Sequence, residues 1–412
     1  MRGAARGVRL LIALTLTSTA FAVITPSQAG AETFQPAPDG SFLLSGHGFG
    51  HGRGMSQWGA FGMATQGESA QQILDFYYPG SQTTTVAGTP TIKVLLKRAN
   101  AGEVDIVAAR GAETVTDSVT GTAVALPAAM GAVPVTTWKA AKAANAATGP
   151  TVLSGFWSNA WHPFPAAGQL STTGNLTFAS DSGVVRLVYP DTSERDYQGT
   201  IDAVPNGPSL LAVNTLPLDD YLKGVVPHES INSWPAAALQ AQAVAARTYA
   251  DVRIGAGLYD ICDDTQCQVY TGVASFDAAG NQIAALQFAE SNAAIAAVAG
   301  QIRAYNGAPI STEYSSSNGG WTTTAGQPWE PAQPDPFDRY APDHDWTQTI
   351  TAAQLETAYP ALGTPVDLTV NQRDGNGDWG GRVQSLTIDG SLGSVIVGGN
   401  DFRAAMGLRS TW

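Results

Sequence analysis

One glutamate stands where it can do acid chemistry. Glu229 lies in the run Val225-Val226-Pro227-His228-Glu229-Ser230, just ahead of a long helical stretch. A loop held by a helix and its capping turn keeps such a side chain in place. A hydrophobic wall such as Trp234 would raise its pKa, so that the carboxyl can donate a proton near neutral pH. A glycosidic oxygen needs that proton to become a leaving group. The same glutamate would also complement the positive end of a helix, an interaction of a fraction of a kcal/mol. The spacing alone leaves both roles open.

A second constellation is Gly46-His47-Gly48-Phe49-Gly50-His51-Gly52-Arg53-Gly54. His47 and His51 are four apart, the spacing that aligns two metal ligands on a helix, but so many glycines disfavour a helix. A bent loop leading into a helix, where glycines let a substrate approach the backbone, fits better. No third ligand lies nearby in sequence, so no metal is expected. Tyr314-Ser315-Ser316-Ser317-Asn318-Gly319-Gly320-Trp321-Thr322 offers hydroxyls, an amide and aromatic rings. It can hydrogen-bond and stack on a sugar, or form a plain surface turn. Asp374-Gly375-Asn376-Gly377-Asp378 resembles the start of a calcium loop, but Trp379 and Ser385 occupy the positions that need glycine and an acid, so a hairpin turn is expected. Cys262 and Cys267, the chain's two cysteines, read as a short-loop disulfide in an exported protein, with half of a zinc site as the alternative. Local motifs for serine hydrolases, zincins and nucleotide binding are absent, and no cofactor is expected.

Elements must hold these residues. A strand at Phe42-Leu43-Leu44 leads into the glycine-histidine run, and a helix from about Met55 to Gln66 follows, stopped by Gly67. Ser69 caps a second short helix that ends at Tyr78-Pro79-Gly80. From about Thr91 to Leu211 short apolar runs alternate with Gly, Asn and Asp turns, which predicts strands. The Pro-broken stretch from Pro127 to Pro150 reads as a surface excursion. Ser233 is a natural N-cap, Pro235 suits a first turn, and Ala236 to Ile254 predicts the longest helix. A further helix is expected over Ile283–Ala299, and strands after it. The fold class read from this pattern is α+β, a helical catalytic centre with β-rich wings of mostly antiparallel strands.

The first 31 residues look like an export signal. Arg2, Arg6 and Arg9 precede an apolar run from Leu10 to about Thr25, and Ala29-Gly30-Ala31 is a small-x-small cleavage signature. The run is short for a membrane span, and no other apolar stretch of that length follows. The net charge of −13 becomes more negative once the three arginines are removed. Nucleic acid and anionic membrane surfaces are therefore not expected as partners.

Several segments together resemble the stage II sporulation protein D family (SpoIID/LytB). The central one is Pro217-Leu218-Asp219-Asp220-Tyr221-Leu222-Lys223-Gly224-Val225-Val226-Pro227-His228-Glu229, followed by Trp234-Pro235 and the run Leu239 to Ala250 with Arg247 and Tyr249. Cys267-Gln268-Val269-Tyr270-Thr271-Gly272, the loop Tyr314 to Thr322, and Leu408-Arg409-Ser410-Thr411-Trp412 are also similar, as is Gly48 to Ala60 with Tyr77-Tyr78-Pro79-Gly80. In the family's common order the glycine-histidine block follows the Leu-Arg-Ser-Thr segment; here it comes first. Such a permutation is tolerated where ends lie close together, so Phe42–Gly46 should adjoin the segment near Trp412.

The resemblance implies a secreted lytic transglycosylase of the cell wall. It would cut between N-acetylmuramic acid and N-acetylglucosamine of peptidoglycan glycan strands and leave 1,6-anhydro ends. Glu229 matches the catalytic glutamate, and Asp219 and Asp220 are expected to be structural. His51, Arg53, Gln57, Arg247, Tyr249, Ser316, Ser317 and Gly320 are the candidates for the substrate groove. Ser230 stands where the family often has methionine, and Ser315 where many members have histidine. The family also includes amidase enhancers, so a wall-binding partner of a separate amidase is the alternative. The implied organisation is a signal at 1–31, the glycine-histidine block at 42–80, a β-rich region at 90–205 and the core at 206–412.

Overall fold

The computed structural model describes residues 32–86, 88–99, 102–108, 111–143, 149–166, 168–255 and 257–412. The export signal read at 1–31 lies outside the described residues.

Two large sheets form the body of the molecule. The seven-stranded sheet runs Ile261–Cys262, Thr91–Leu95, Ser209–Pro217, Thr200–Asn206, Leu176–Ser180, Glu113–Asp117, Ala123–Leu126, antiparallel except at the first pair. The nine-stranded sheet includes Thr151–Trp157, Thr137–Lys142, Val104–Val107, Val184–Val188, Glu194–Gln198 and Ala274–Phe276 in that spatial order. In Val104–Val107 and Glu113–Asp117 every second residue is buried, the signature of a strand with one face on a core. Ser209–Pro217 sits between two partners and is buried along most of its length, so its Leu210-Leu211-Ala212-Val213 run does not alternate. Trp138, Leu153 and Leu187 from one sheet and Val115, Phe178 and Ile201 from the other share one core. The stretch 127–150 is more than an excursion, because it supplies Thr137–Lys142 with Trp138 wholly buried.

Helices pack on this body. They are α1 (Gln57–Thr65), α2 (Ala70–Tyr77), α3 (Leu218–Lys223), α4 (Val226–Glu229), α5 (Ala236–Asp251), α6 (Ala289–Ala297), α7 (Ala352–Ala358) and α8 (Gly399–Met406). Ser69 caps α2 in a reciprocal capping box with Gln72, as its position predicts. The alanines of α5 bury most of its circumference, and their small side chains let α1, α2, α3 and α6 approach it closely. A smaller module holds its own core. Leu368, Leu386 and Ile388 of a four-stranded sheet pack with Leu355 of α7 and with Phe402 and Met406 of α8.

The strand that leads into the glycine-histidine run and the segment near Trp412 adjoin, as expected. Phe42–His47 pairs with Asp345–Ile350, His47 N donates to Trp412 O at 2.9 Å, and Ser410 Oγ donates to His47 O at 2.6 Å. Asp374 closes the hairpin between Pro365–Arg373 and Val383–Gly390 by accepting from Asn376 N and Arg382 N.

Three expectations are corrected. Among the described residues strand outweighs helix, 38% against 22%, so a helical centre with β-rich wings does not describe the molecule. Local pattern hid this because the sheets close through pairings distant in sequence, such as Thr91–Leu95 with Ser209–Pro217. The helix expected over Ile283–Ala299 is only α6. Gln282–Ala285 instead pairs with the edge of Ala274–Phe276, where satisfying backbone groups outweighs alanine's helical preference. Ser233 does not cap α5; Pro235 holds the N-cap position with no side-chain cap, and the chain turns ahead of it through Trp234 N to Ile231 O.

Candidate active site

Glu229 is the last residue of α4 rather than a loop residue, and the buried Val225 and Val226 anchor that turn in the core. Glu229 N donates to Val225 O at 3.0 Å. Its Oε1 accepts from Val269 N at 2.7 Å, and Oε2 accepts from Gln57 Nε2 at 3.3 Å. The residue keeps some open surface, while protein crowds its carboxylate. Burial raises the Glu229 pKa, and the two hydrogen bonds oppose the rise without cancelling it. Trp234 packs against Trp58 and Phe61, with ring centroids 4.9 and 5.2 Å away.

Both partners of Glu229 are themselves held. Gln57 is the first residue of α1, whose N-cap Ser56 accepts from Gly59 N at 2.9 Å and also bonds the buried Asp338. Val269 follows Gln268, which is 1% exposed; its Oε1 accepts from Tyr221 Oη at 2.9 Å and its Nε2 donates to Tyr314 Oη at 2.8 Å. Cys262 and Cys267 are joined as a disulfide just upstream, which excludes the half-zinc alternative. Met55–Ser56 runs parallel to Tyr314–Ser315, and Trp58 N donates to Ser316 O at 3.1 Å. Three chain segments far apart in sequence thus meet around one carboxylate.

Of the groove candidates, Gln57 touches Glu229, and His51 and Arg53 lie in the adjoining loop. His51 Nδ1 accepts from Arg53 N at 3.0 Å, so the ring carries its proton on Nε2. Burial, aided by the Arg53 charge, lowers the His51 pKa to about 4 and keeps the ring neutral. Arg53 pairs with Glu313; burial would raise that carboxyl, but the hydrogen bond and charge of Arg53 bring it below the usual range. Tyr249 is half-buried, with the Arg253 guanidinium 3.4 Å over its ring. Ser316 and Gly320 are partly exposed on the serine loop.

Two candidates are framework instead. Arg247 is 1% exposed and is spent on Asp219 at 2.7 Å and on the carbonyls of Val298 and Gln301. Ser317 is wholly buried and donates to Asp338 Oδ2 at 2.6 Å. Asp220 pairs with Lys223, so both acids ahead of Glu229 have structural partners. The Val269 N–H and Glu313 were missed. A backbone donor leaves no mark in residue type, and Glu313 gains meaning only from Arg53, 260 residues away.

Residues 206–305 match the family model described as stage II sporulation protein. The chain is similar to the amidase enhancer of Bacillus subtilis (strain 168), 36% identical over 147 residues, which cover 35% of this chain and 19% of that one. It is also similar to the stage II sporulation protein D of the same organism, 30% identical over 213 residues, covering 48% and 60%. An uncharacterized protein of Brachyspira hyodysenteriae is 35% identical over 134 residues, covering 32% and 33%. The chain therefore spans less than two thirds of each of these relatives.

Proposed function

Because the chain carries a domain of the stage II sporulation protein D family, we propose that it is exported to the cell wall and cleaves peptidoglycan glycan as a lytic transglycosylase, with Glu229 as acid and base. One observation carries the reading. Glu229 is a carboxyl raised by burial, and both of its hydrogen-bond partners are neutral donors rather than a second acid. A raised carboxyl holds its proton to higher pH, ready for a leaving group.

In the first step Glu229 gives its proton to the oxygen between N-acetylmuramic acid and N-acetylglucosamine, and the bond to C1 of the muramyl sugar breaks. The resulting carboxylate takes the proton from the C6 hydroxyl of that sugar. The C6 oxygen then bonds C1, closing the 1,6-anhydro ring and restoring the acid. One carboxyl suffices, whereas a hydrolase typically uses two at a fixed separation. Val269 N–H and the Gln57 amide hold the carboxylate between the steps. His51, Arg53, Tyr249, Ser316 and Gly320 are the residues we assign to the groove.

The test is mass spectrometry of purified glycan strands incubated with the mature protein and with Glu229→Gln. Anhydromuramyl ends made by the wild type and absent with the variant support the reading; reducing ends would mean hydrolysis and overturn it. A second reading has an observation of its own, the likeness to a protein named amidase enhancer. On that reading the protein binds wall glycan and stimulates a separate amidase. Glu229→Gln would then leave the stimulation unchanged, and no new glycan ends would form.

A further inference from the structure

His47 ends its strand directly opposite Asp345 in the pair with Asp345–Ile350. Its Nδ1 lies 2.7 Å from Asp345 Oδ1, and His344 Nδ1 lies 3.0 Å from Asp345 Oδ2. His47 is 9% exposed, and its Nε2 is buried without a hydrogen-bond partner. One ligand atom from each of the three residues lies within 4.8 Å of the other two. We propose that His47, His344 and Asp345 bind a divalent transition-metal cation of the zinc class.

The donor set argues for that class. Two imidazoles and a carboxylate suit a borderline cation, whereas magnesium and calcium favour oxygen ligands throughout. Three protein ligands leave a position for water, and the Asp345 side chain is 72% exposed, so the site opens to solvent on that side. The opposite side is walled by rings: Trp379 lies 4.2 Å from the His47 ring and Trp412 lies 5.0 Å from it. Gly48 N donates to His344 O at 3.0 Å and holds the second histidine against the glycine run. The third ligand was invisible in sequence because Asp345 lies 298 residues from His47. His51, the other histidine of the run, is engaged with Arg53 N instead. A bound cation would clip the strand Phe42–His47 to Asp345–Ile350. None of these three residues bonds Glu229, and the inference does not rest on the glycan reading.

The test uses untagged, oxidised protein equilibrated with Zn²⁺, passed into metal-free buffer and counted by elemental mass spectrometry. One zinc per chain is expected. His344→Ala and Asp345→Asn should each weaken binding by at least about 100-fold, since loss of a group that only orients a metal ligand already costs about 10–100-fold. Co²⁺ bound in place of zinc should give visible absorption bands that both variants lose. Thermal unfolding without metal checks that the variants fold. Should His344→Ala fail to fold, Asp345→Asn carries the test at an exposed side chain. Absence of retained zinc in the wild type, or equal retention by the variants, overturns the proposal and leaves a hydrogen-bonded His-Asp-His chain.

Discussion

At the scale of single residues, Glu229 sets function against stability. Burial raises its pKa, so the fold favours the protonated form. That contribution is complete below the pKa of an unfolded glutamate and is lost as pH rises through the raised value. Glu229→Gln cannot ionise and escapes the loss. It should lower turnover by about 10²–10⁴-fold, the usual contribution of a positioned acid and base. It should also resist urea better than the wild type at pH 8, with the gap narrowing towards pH 4. Glu330 gives a control away from the proposed acid. It is 2% exposed, accepts from Glu313 N at 3.0 Å, and burial pushes its pKa to about 7. Its share of stability is present below the unfolded glutamate pKa and is lost as pH climbs through about 7. Glu330→Gln should therefore flatten the decline in urea midpoint between pH 5 and pH 8. An unchanged decline would show that burial does not govern this carboxyl.

At the scale of elements, the site depends on one cap and one covalent loop. Ser56 caps α1, which begins with the Gln57 that steadies Glu229. Ser56→Ala should cost about 1 kcal/mol of stability. It should also reduce turnover more than glycan affinity, read as a fall in kcat with KM little changed. The Cys262–Cys267 disulfide closes a short loop just ahead of the Val269 N–H that holds Oε1. Replacing both cysteines by serine should cost about 2 kcal/mol through the unfolded chain. It should also slow turnover, because that N–H loses its anchor; unchanged turnover would mean that the Gln268 contacts suffice. The elements also show what sequence can and cannot reveal. The α2 helix was legible from Ser69 because an N-cap is local, and the structure adds Gln72 as its reciprocal partner. Glu229 was legible because its motif is contiguous, and Gln57 because it lies in a motif of its own. Arg247 was read as a groove residue because the partners that bury it, Asp219 and the carbonyls of Val298 and Gln301, lie elsewhere in the chain. Gln282–Ala285 was misread because its partner strand, not its own composition, decides its state.

At the scale of the whole molecule, the junction between the strand Phe42–His47 and the Trp412 segment is closely packed. A Cβ on Gly46 would lie 2.1 Å from Trp346 and 2.3 Å from Trp412 O, closer than any real contact. Gly46→Ala should therefore cost about 1–3 kcal/mol by overpacking, measured by urea unfolding. A neutral outcome would mean that the junction yields without loss. The order of the motifs, read against the resemblance, made this meeting legible in advance; the two sheets were not, since their pairings skip across the chain. The separations around the site also set a clock. Gln57 must find Glu229 across 172 residues, and Ser56 must find Asp338 across 282. Contacts of such range form late, because loop closure has to precede them. In refolding from urea, far-UV ellipticity should return before glycan cleavage does. Refolding would then pass through an assembled body in which the candidate acid is still without its Gln57 partner.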